Sequence, residues 1–255
     1  MADSSTPTPS GFDSAAAAAF LEPLWEDSVL PALCEFVKIP NRTPQYGMGE
    51  EPAGLLNQAA DLLVQWVVAQ SIPGLSIERM TLPGVNALGD PYSPLVYAEI
   101  PATGEDMRSQ GTIMLYGHLD KQPPFTGWSS TGPYEPDIRT SPFDGRRKLY
   151  GRGGADDGYS TFAAISSLLA LRAQGLPHAR VVLVVEGSEE SGSRDLPDYL
   201  ERLRARIGPV NLVICLDSMC GSYDQFWLTT SLRGALTAEL KVAMLGAAMI
   251  PMAAL

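Results

Sequence analysis

The sequence predicts an α/β fold with a mostly parallel sheet. Short valine- and leucine-rich runs, of the kind buried on both faces of a sheet, recur at 95–100, 112–116, 180–184 and 212–216. Stretches with helical apolar spacing separate the later runs, and strand–helix alternation of this sort builds a parallel sheet. The chain has 255 residues, 45% of them apolar, which is enough to bury a substantial core.

In chain order, residues 1–20 read as a flexible leader, with MADSSTPTPSGFDS rich in Ser, Thr and Pro. From 21 to 37 the spacing suggests one or two helical pieces interrupted at Pro31. Over 54–69, Leu55, Leu56, Ala59, Leu62, Leu63, Trp66 and Val67 fall on one helical face. Runs with strand character follow at 76–82, 95–100 and 112–116. The stretch 121–148 is rich in Pro, Gly and aromatics without a clean period, and reads as a long loop, functional or disordered. A helix is expected over 160–174, ending at Gly175, then a buried strand at 180–184. Leu196, Leu200, Leu203 and Ile207 mark a helix face, and 212–216 reads as another buried strand, which would place Cys215 in the core. His178, in a GLPHAR loop, reads as a surface histidine. No internal repeat is visible.

Composition excludes several classes. Eighteen basic against 29 acidic residues give a net charge of −11, which repels phosphate backbones and argues against nucleic-acid binding. Three cysteines (Cys34, Cys215, Cys220) do not make a disulfide framework and suit a reducing compartment. The N-terminus has no basic n-region, and no apolar stretch reaches the roughly 18 residues of a membrane span. The expectation is therefore a cytoplasmic protein with no membrane or nucleic-acid partner.

Four polar segments sit at or just after strand carboxyl ends, or before a helix: Gly117-His118-Leu119-Asp120, Gly153–Gly158 (GGADDG), Glu189-Glu190-Ser191-Gly192-Ser193 and Asp217. Strand carboxyl ends form the ligand-binding rim of open α/β sheets. Each segment alone has an ordinary explanation. An Asp-Asp before a helix can be a cap, and a Glu-Glu after a strand can be a solvated turn. Together they gather carboxylates around one imidazole without matching bases, and a divalent cation relieves that repulsion. The His/Asp/Glu set suits zinc, or manganese or cobalt. His118 and Asp120, two apart on extended chain, point to one side, so Asp120 can orient the imidazole. The turn GRGGADDG lacks the Lys-Ser/Thr of a P-loop, and no GxSxG elbow is present.

The motifs GHLDKQPPFTGW, PYEPDI, LYGRGGADDG, EGSEESGS and CLDS, in this order, resemble the carnosinase-like dinuclear-zinc metallopeptidases. These are relatives of cytosolic nonspecific dipeptidase, aminoacylase-1 and zinc carboxypeptidases. The resemblance implies a three-layer αβα catalytic domain with a mostly parallel mixed sheet. It implies two divalent ions, zinc or manganese, a small peptide substrate, and a homodimer for full-length relatives. Carried over residue by residue, His118 resembles an imidazole ligand and Asp120 its catalytic orienting partner. Asp156 resembles the bridging carboxylate, with a cis bond to Asp157. Glu189 resembles the general base, Glu190 a ligand of the second ion and Asp217 the remaining ligand of the first.

Two departures from the pattern stand out. Gly158 occupies a place where many relatives carry Lys. The resemblance also places a lid and dimerisation domain after Ser231–Gly234, and then a return that supplies another metal-binding histidine. This sequence has two histidines, and His178 is not in the matching place. The expected division is thus 1–20 leader, 21–234 catalytic portion, and 235–255 the start of a largely missing lid with an apolar tail. The expected activity is metal-dependent peptide-bond hydrolysis of the dipeptidase type. The alternatives are an inactive truncated fragment or pseudoenzyme retaining partial metal binding, and an N-acyl-amino-acid deacylase.

Overall fold

A computed structural model describes residues 11–46, 51–128, 131–218, 220–222, 224–234 and 236. The first ten residues and nearly all of the expected lid segment 235–255 lie outside the described residues. Two compact units divide at Asp217/Ser218. In the second, Ser218 and Thr229 share a hydroxyl hydrogen bond, and the Trp227 ring lies against Gly221.

Helix α1 (Ser14–Leu24) begins inside the expected leader. The Asp13 carboxylate accepts from the amides of Ala15 and Ala16, which caps an alanine-rich stretch of high helix propensity. Gln174 holds Asp13 through both backbone groups, docking this end of α1. A π-helical turn (Trp25–Val29) continues directly into α2 (Leu30–Lys38), with Pro31 at the junction. Helix α3 (Glu51–Ala69) follows the expected apolar face.

Strands β1 (Ser76–Met80), β2 (Leu95–Ile100), β3 (Thr112–His118), β6 (Arg180–Glu186) and β7 (Leu212–Cys215) form one sheet in the order β1-β2-β6-β3-β7. A short helix α4 (Glu105–Arg108) joins β2 to β3. The outer pairings β1/β2 and β2/β6 are antiparallel, and β6/β3 and β3/β7 are parallel. The sheet is therefore mixed, and its parallel half is the half that carries the polar segments. Register sets His118 beside Glu186 and Tyr116 beside Cys215, so three strands deliver their carboxyl ends to one rim.

Helices α2, α3 and α5 (Ser160–Ala173) cover one face. Helix α6 (Leu196–Ile207) covers the other through Tyr199, Leu203 and Ile207 on Leu95, Tyr97, Val182 and Val184. This is the expected αβα layering. Trp66 and Phe162 meet edge to face, 4.7 Å between centroids, beneath the sheet. No helix among the described residues is long and apolar enough to cross a membrane. The three cysteines form no disulfide.

Three expectations are corrected. The 121–148 loop contains a hairpin, β4 (Asp137–Thr140) with β5 (Arg147–Tyr150), whose charged, half-exposed residues carry no apolar alternation. Strand β7 is an edge, with Leu212, Val213 and Ile214 exposed by 51%, 56% and 37%, and Cys215 is exposed rather than core. An apolar run signals a strand but not which of its faces is covered. His178 is only 5% exposed, because the segment before β6 pairs with the chain after β2 through Thr103.

The packing predicts a large cost for one truncation. Phe162→Ala should destabilise the protein by about 3–5 kcal/mol, as for other fully buried aromatics. Urea denaturation followed by circular dichroism measures this, and a loss below about 1 kcal/mol would contradict the assigned core position.

Candidate metal centre

The rim at the ends of β3, β6 and β7 is built by close approach. A Cβ on Gly117 would lie 2.2 Å from Ser160 Oγ and 2.7 Å from Asp157 Oδ2. Only glycine lets the start of α5 and the turn before it pack against β3. That turn, Gly154–Gly158, carries Asp156 and Asp157 across a cis peptide bond, as the resemblance implied. Gly158 is equally constrained: a Cβ there would lie 2.3 Å from Gly153 O and 2.4 Å from the Phe36 ring. The space that a longer side chain would need is filled.

His118 is the centre of the arrangement. Its side chain is fully buried, and Nε2 makes no hydrogen bond. Nε2 instead faces Asp156 Oδ1 at 3.3 Å, Asp217 Oδ2 at 3.5 Å and Glu189 Oε2 at 3.9 Å. Ligand bonds of about 2 Å in a tetrahedron put neighbouring donor atoms roughly 3.3 Å apart, so these separations fit a shared ion. Two ligand groups result, His118/Glu189/Asp217 and His118/Asp156/Glu190. Every sequence-predicted ligand is therefore in reach of the centre.

The two groups share a single imidazole nitrogen. Nδ1 is turned away, 3.0 Å from the main-chain oxygen of Asp120, so Nε2 alone remains for an ion. Asp120 thus orients the ring chiefly through its carbonyl, with its carboxylate at 3.5 Å. That carboxylate is fully buried and instead accepts from the amides of Glu189 and Glu190 at 3.1 and 3.0 Å. One residue aims the imidazole and also seats the turn that presents both glutamates.

Electrostatics reports crowding. Burial raises the Glu190 carboxyl to about 7, with the Asp156 charge adding to the shift and the Gln122 hydrogen bond opposing it. Burial also raises Glu189, with Asp120, Asp217 and Asp156 adding and His118 opposing. Burial works against a charged His118, but Asp120, Asp156 and Asp217 outweigh it and hold the imidazole proton well above its ordinary value. A cation replacing that proton would satisfy the same carboxylates.

Several supporting residues carried no recognisable sequence signal. Gln122 Nε2 donates to Glu190 Oε2, and Tyr159 donates its hydroxyl to the carbonyl of Leu216, next to Asp217. Asp157 Oδ2 accepts from the His118 amide at 3.1 Å. Lys121 is fully buried, and its Nζ donates to the carbonyls of Phe36, Val37 and Ile39 at the end of α2. Burial and the nearby Arg152 pull its pKa down to about 6. Three carbonyl acceptors at a helix C-terminus nevertheless favour the ammonium, which has three N–H donors. A lysine directly after the His-x-Asp run was the only hint.

Residues 114–224 match the Peptidase family M20/M25/M40. That stretch spans every predicted site residue. It belongs to this family. Among curated relatives of this M20 sequence, human Beta-Ala-His dipeptidase is 31% identical over 218 residues, covering 83% of this chain and 40% of that protein. The Cys-Gly metallodipeptidase dug1 of Schizosaccharomyces pombe is 31% identical over 143 residues, covering 55% of this chain and 27% of that protein. The crystal structure of human carnosine dipeptidase 1 superposes with a TM-score of 0.63 at 23% identity, over 81% of this chain and 41% of that one. The chain thus spans about two fifths of the human relative's length.

Proton competition at the centre gives a testable pH dependence. Glu190 and His118 hold protons more tightly than their ordinary values, and each must release its proton to ligate an ion. Affinity for Zn²⁺ should therefore fall as pH drops through about 7, by up to tenfold per pH unit for each proton displaced. Calorimetric titration in buffers of different ionisation enthalpy measures both quantities. An affinity that is flat across this range, with no proton release, would contradict the assignment.

Proposed function

We propose that this M20-family chain belongs to a metal-dependent peptidase acting on dipeptides. The observation that carries the reading is the buried, unpartnered His118 Nε2 facing Asp156, Glu189 and Asp217. The dipeptide preference comes from the names of the relatives, which are dipeptidases. In this reading residues 21–234 form the catalytic portion, and a lid begins at 235.

His118, Asp156 and Asp217 would hold one divalent ion, with Asp156 extending toward a second that Glu190 would ligate. Zinc fits the donor set, and manganese is the alternative. When bound, such an ion supplies Lewis acidity, lowering the pKa of water and polarising a carbonyl. Glu189, its carboxyl raised by burial, is suited to take a proton from the attacking water. It would then return that proton to the departing amine, completing hydrolysis. Asp120 keeps the His118 ring and the Glu189 backbone in fixed relation while this happens.

A second reading is favoured by the shared imidazole. Because His118 Nε2 serves both ligand groups, the described residues complete one site better than two. A chain that binds one ion tightly without turnover is consistent with that.

Two measurements decide between these readings. Metal analysis after dialysis should find one tightly held ion per chain, and two would show that the described ligands suffice for both sites. Glu189→Gln should retain the metal and lose dipeptide hydrolysis by at least about 100-fold, the scale of general-base catalysis. Retained turnover in Glu189→Gln would remove that residue from its role. A wild-type chain that holds metal but lacks turnover would support the second reading.

A further inference from the structure

Glu186 is a buried carboxylate that the proposed reaction does not use. It ends β6, is 1% exposed, and lies in register with His118. Its carbonyl accepts from the amide of Leu119 at 2.8 Å, between His118 and Asp120. Its side chain collects three hydroxyls. Oε1 accepts from Tyr116 at 2.5 Å and Ser193 at 2.8 Å, and Oε2 accepts from Ser188 at 3.3 Å.

Ser188 and Ser193 bracket the turn that carries Glu189 and Glu190. The turn closes on itself, with the Ser193 amide donating to the Ser188 carbonyl at 2.9 Å. Asp120 grips its front through the Glu189 and Glu190 amides. Glu186 grips its base through the two serine hydroxyls. Ser191 ties its far side, sharing a hydroxyl hydrogen bond with Thr43, accepting from the Gln45 amide at 3.2 Å, and taking Arg194 on its carbonyl at 2.8 Å.

We propose that Glu186 is a positioning residue for the metal centre, holding the 188–193 turn so that Glu190 reaches the ion and Glu189 the water beside it. This rests on the metal reading above. The role is hydrogen-bonding geometry rather than charge. A glutamine could reproduce it, with its carbonyl oxygen in the place of Oε1 and its amide donating to Ser188 Oγ. Alanine would leave the hydroxyls of Tyr116, Ser188 and Ser193 without their acceptor. Residues that support metal ligands in this way alter affinity by about 10- to 100-fold when removed.

The test is Zn²⁺ and Co²⁺ titration of the full chain as wild type, Glu186→Gln, Glu186→Ala and Ser193→Ala, with thermal denaturation of each metal-free protein. The expected result is an affinity within about threefold of wild type for Glu186→Gln and at least about tenfold weaker for Glu186→Ala, with Ser193→Ala between them. The visible Co²⁺ spectrum, which reports ligand geometry, should change in Glu186→Ala and be preserved in Glu186→Gln. If Glu186→Ala does not fold, Ser193→Ala carries the comparison, since it removes one hydroxyl and leaves the carboxylate. Unchanged affinity and spectrum in Ser193→Ala and Glu186→Ala would overturn the positioning role while leaving the metal centre standing. Glu186→Gln as weak as Glu186→Ala would overturn positioning by hydrogen bonding. A wild-type chain that binds neither ion would overturn the metal reading itself.

Discussion

The structure depends on one constraint: five acidic side chains are brought to the end of three parallel strands with one imidazole among them. Asp120, Asp156, Glu189, Glu190 and Asp217 arrive from four separate stretches of backbone. Parallel pairing of β3, β6 and β7 brings four of them to one rim, and the turn before α5 adds Asp156. The repulsion shows in the raised carboxyls of Glu189 and Glu190 and in the tightly held imidazole proton. A fold would shed such a liability unless something positively charged occupied the space between the oxygens.

The rest of the molecule can be read as the support for that arrangement. Core packing on both sheet faces holds the strands level. Gly117 lets α5 and its leading turn approach near enough for Asp157 to accept from the His118 amide. Asp120 turns the ring with its carbonyl and the glutamate turn with its carboxylate. The Asp157 and Asp120 carboxylates make backbone links across 39, 69 and 70 positions, while the Asp120 carbonyl reaches the ring only two residues away. The geometry is therefore a property of the tertiary fold and not of any single motif.

This division explains what could be read from the sequence. The strands at 95–100, 112–116 and 180–184 and the helices at 54–69, 160–174 and 196–207 declare themselves by periodicity, since a buried face leaves an apolar pattern. His118, Asp120, Glu189, Glu190 and Asp217 lie at or just after strand ends, and Asp156 comes from the turn before α5. What stayed hidden depends on neighbours remote in the chain. The exposure of β7 depends on its edge position, the burial of His178 on Thr103, and the β4–β5 hairpin on pairing between two charged segments. The supports Glu186, Gln122 and Tyr159 look like ordinary polar residues until their partners, dozens of positions away, are known.

Lys121 ties the amino-terminal arm to this machinery. Its ammonium closes the end of α2 while its backbone pairs with Asn41 and Thr43 on both sides. The end of α2 and the segment after it are thereby wired into the loop that bears the imidazole. A disturbance of α2 would therefore be felt at the imidazole through Lys121 rather than through any of the carboxylates around it.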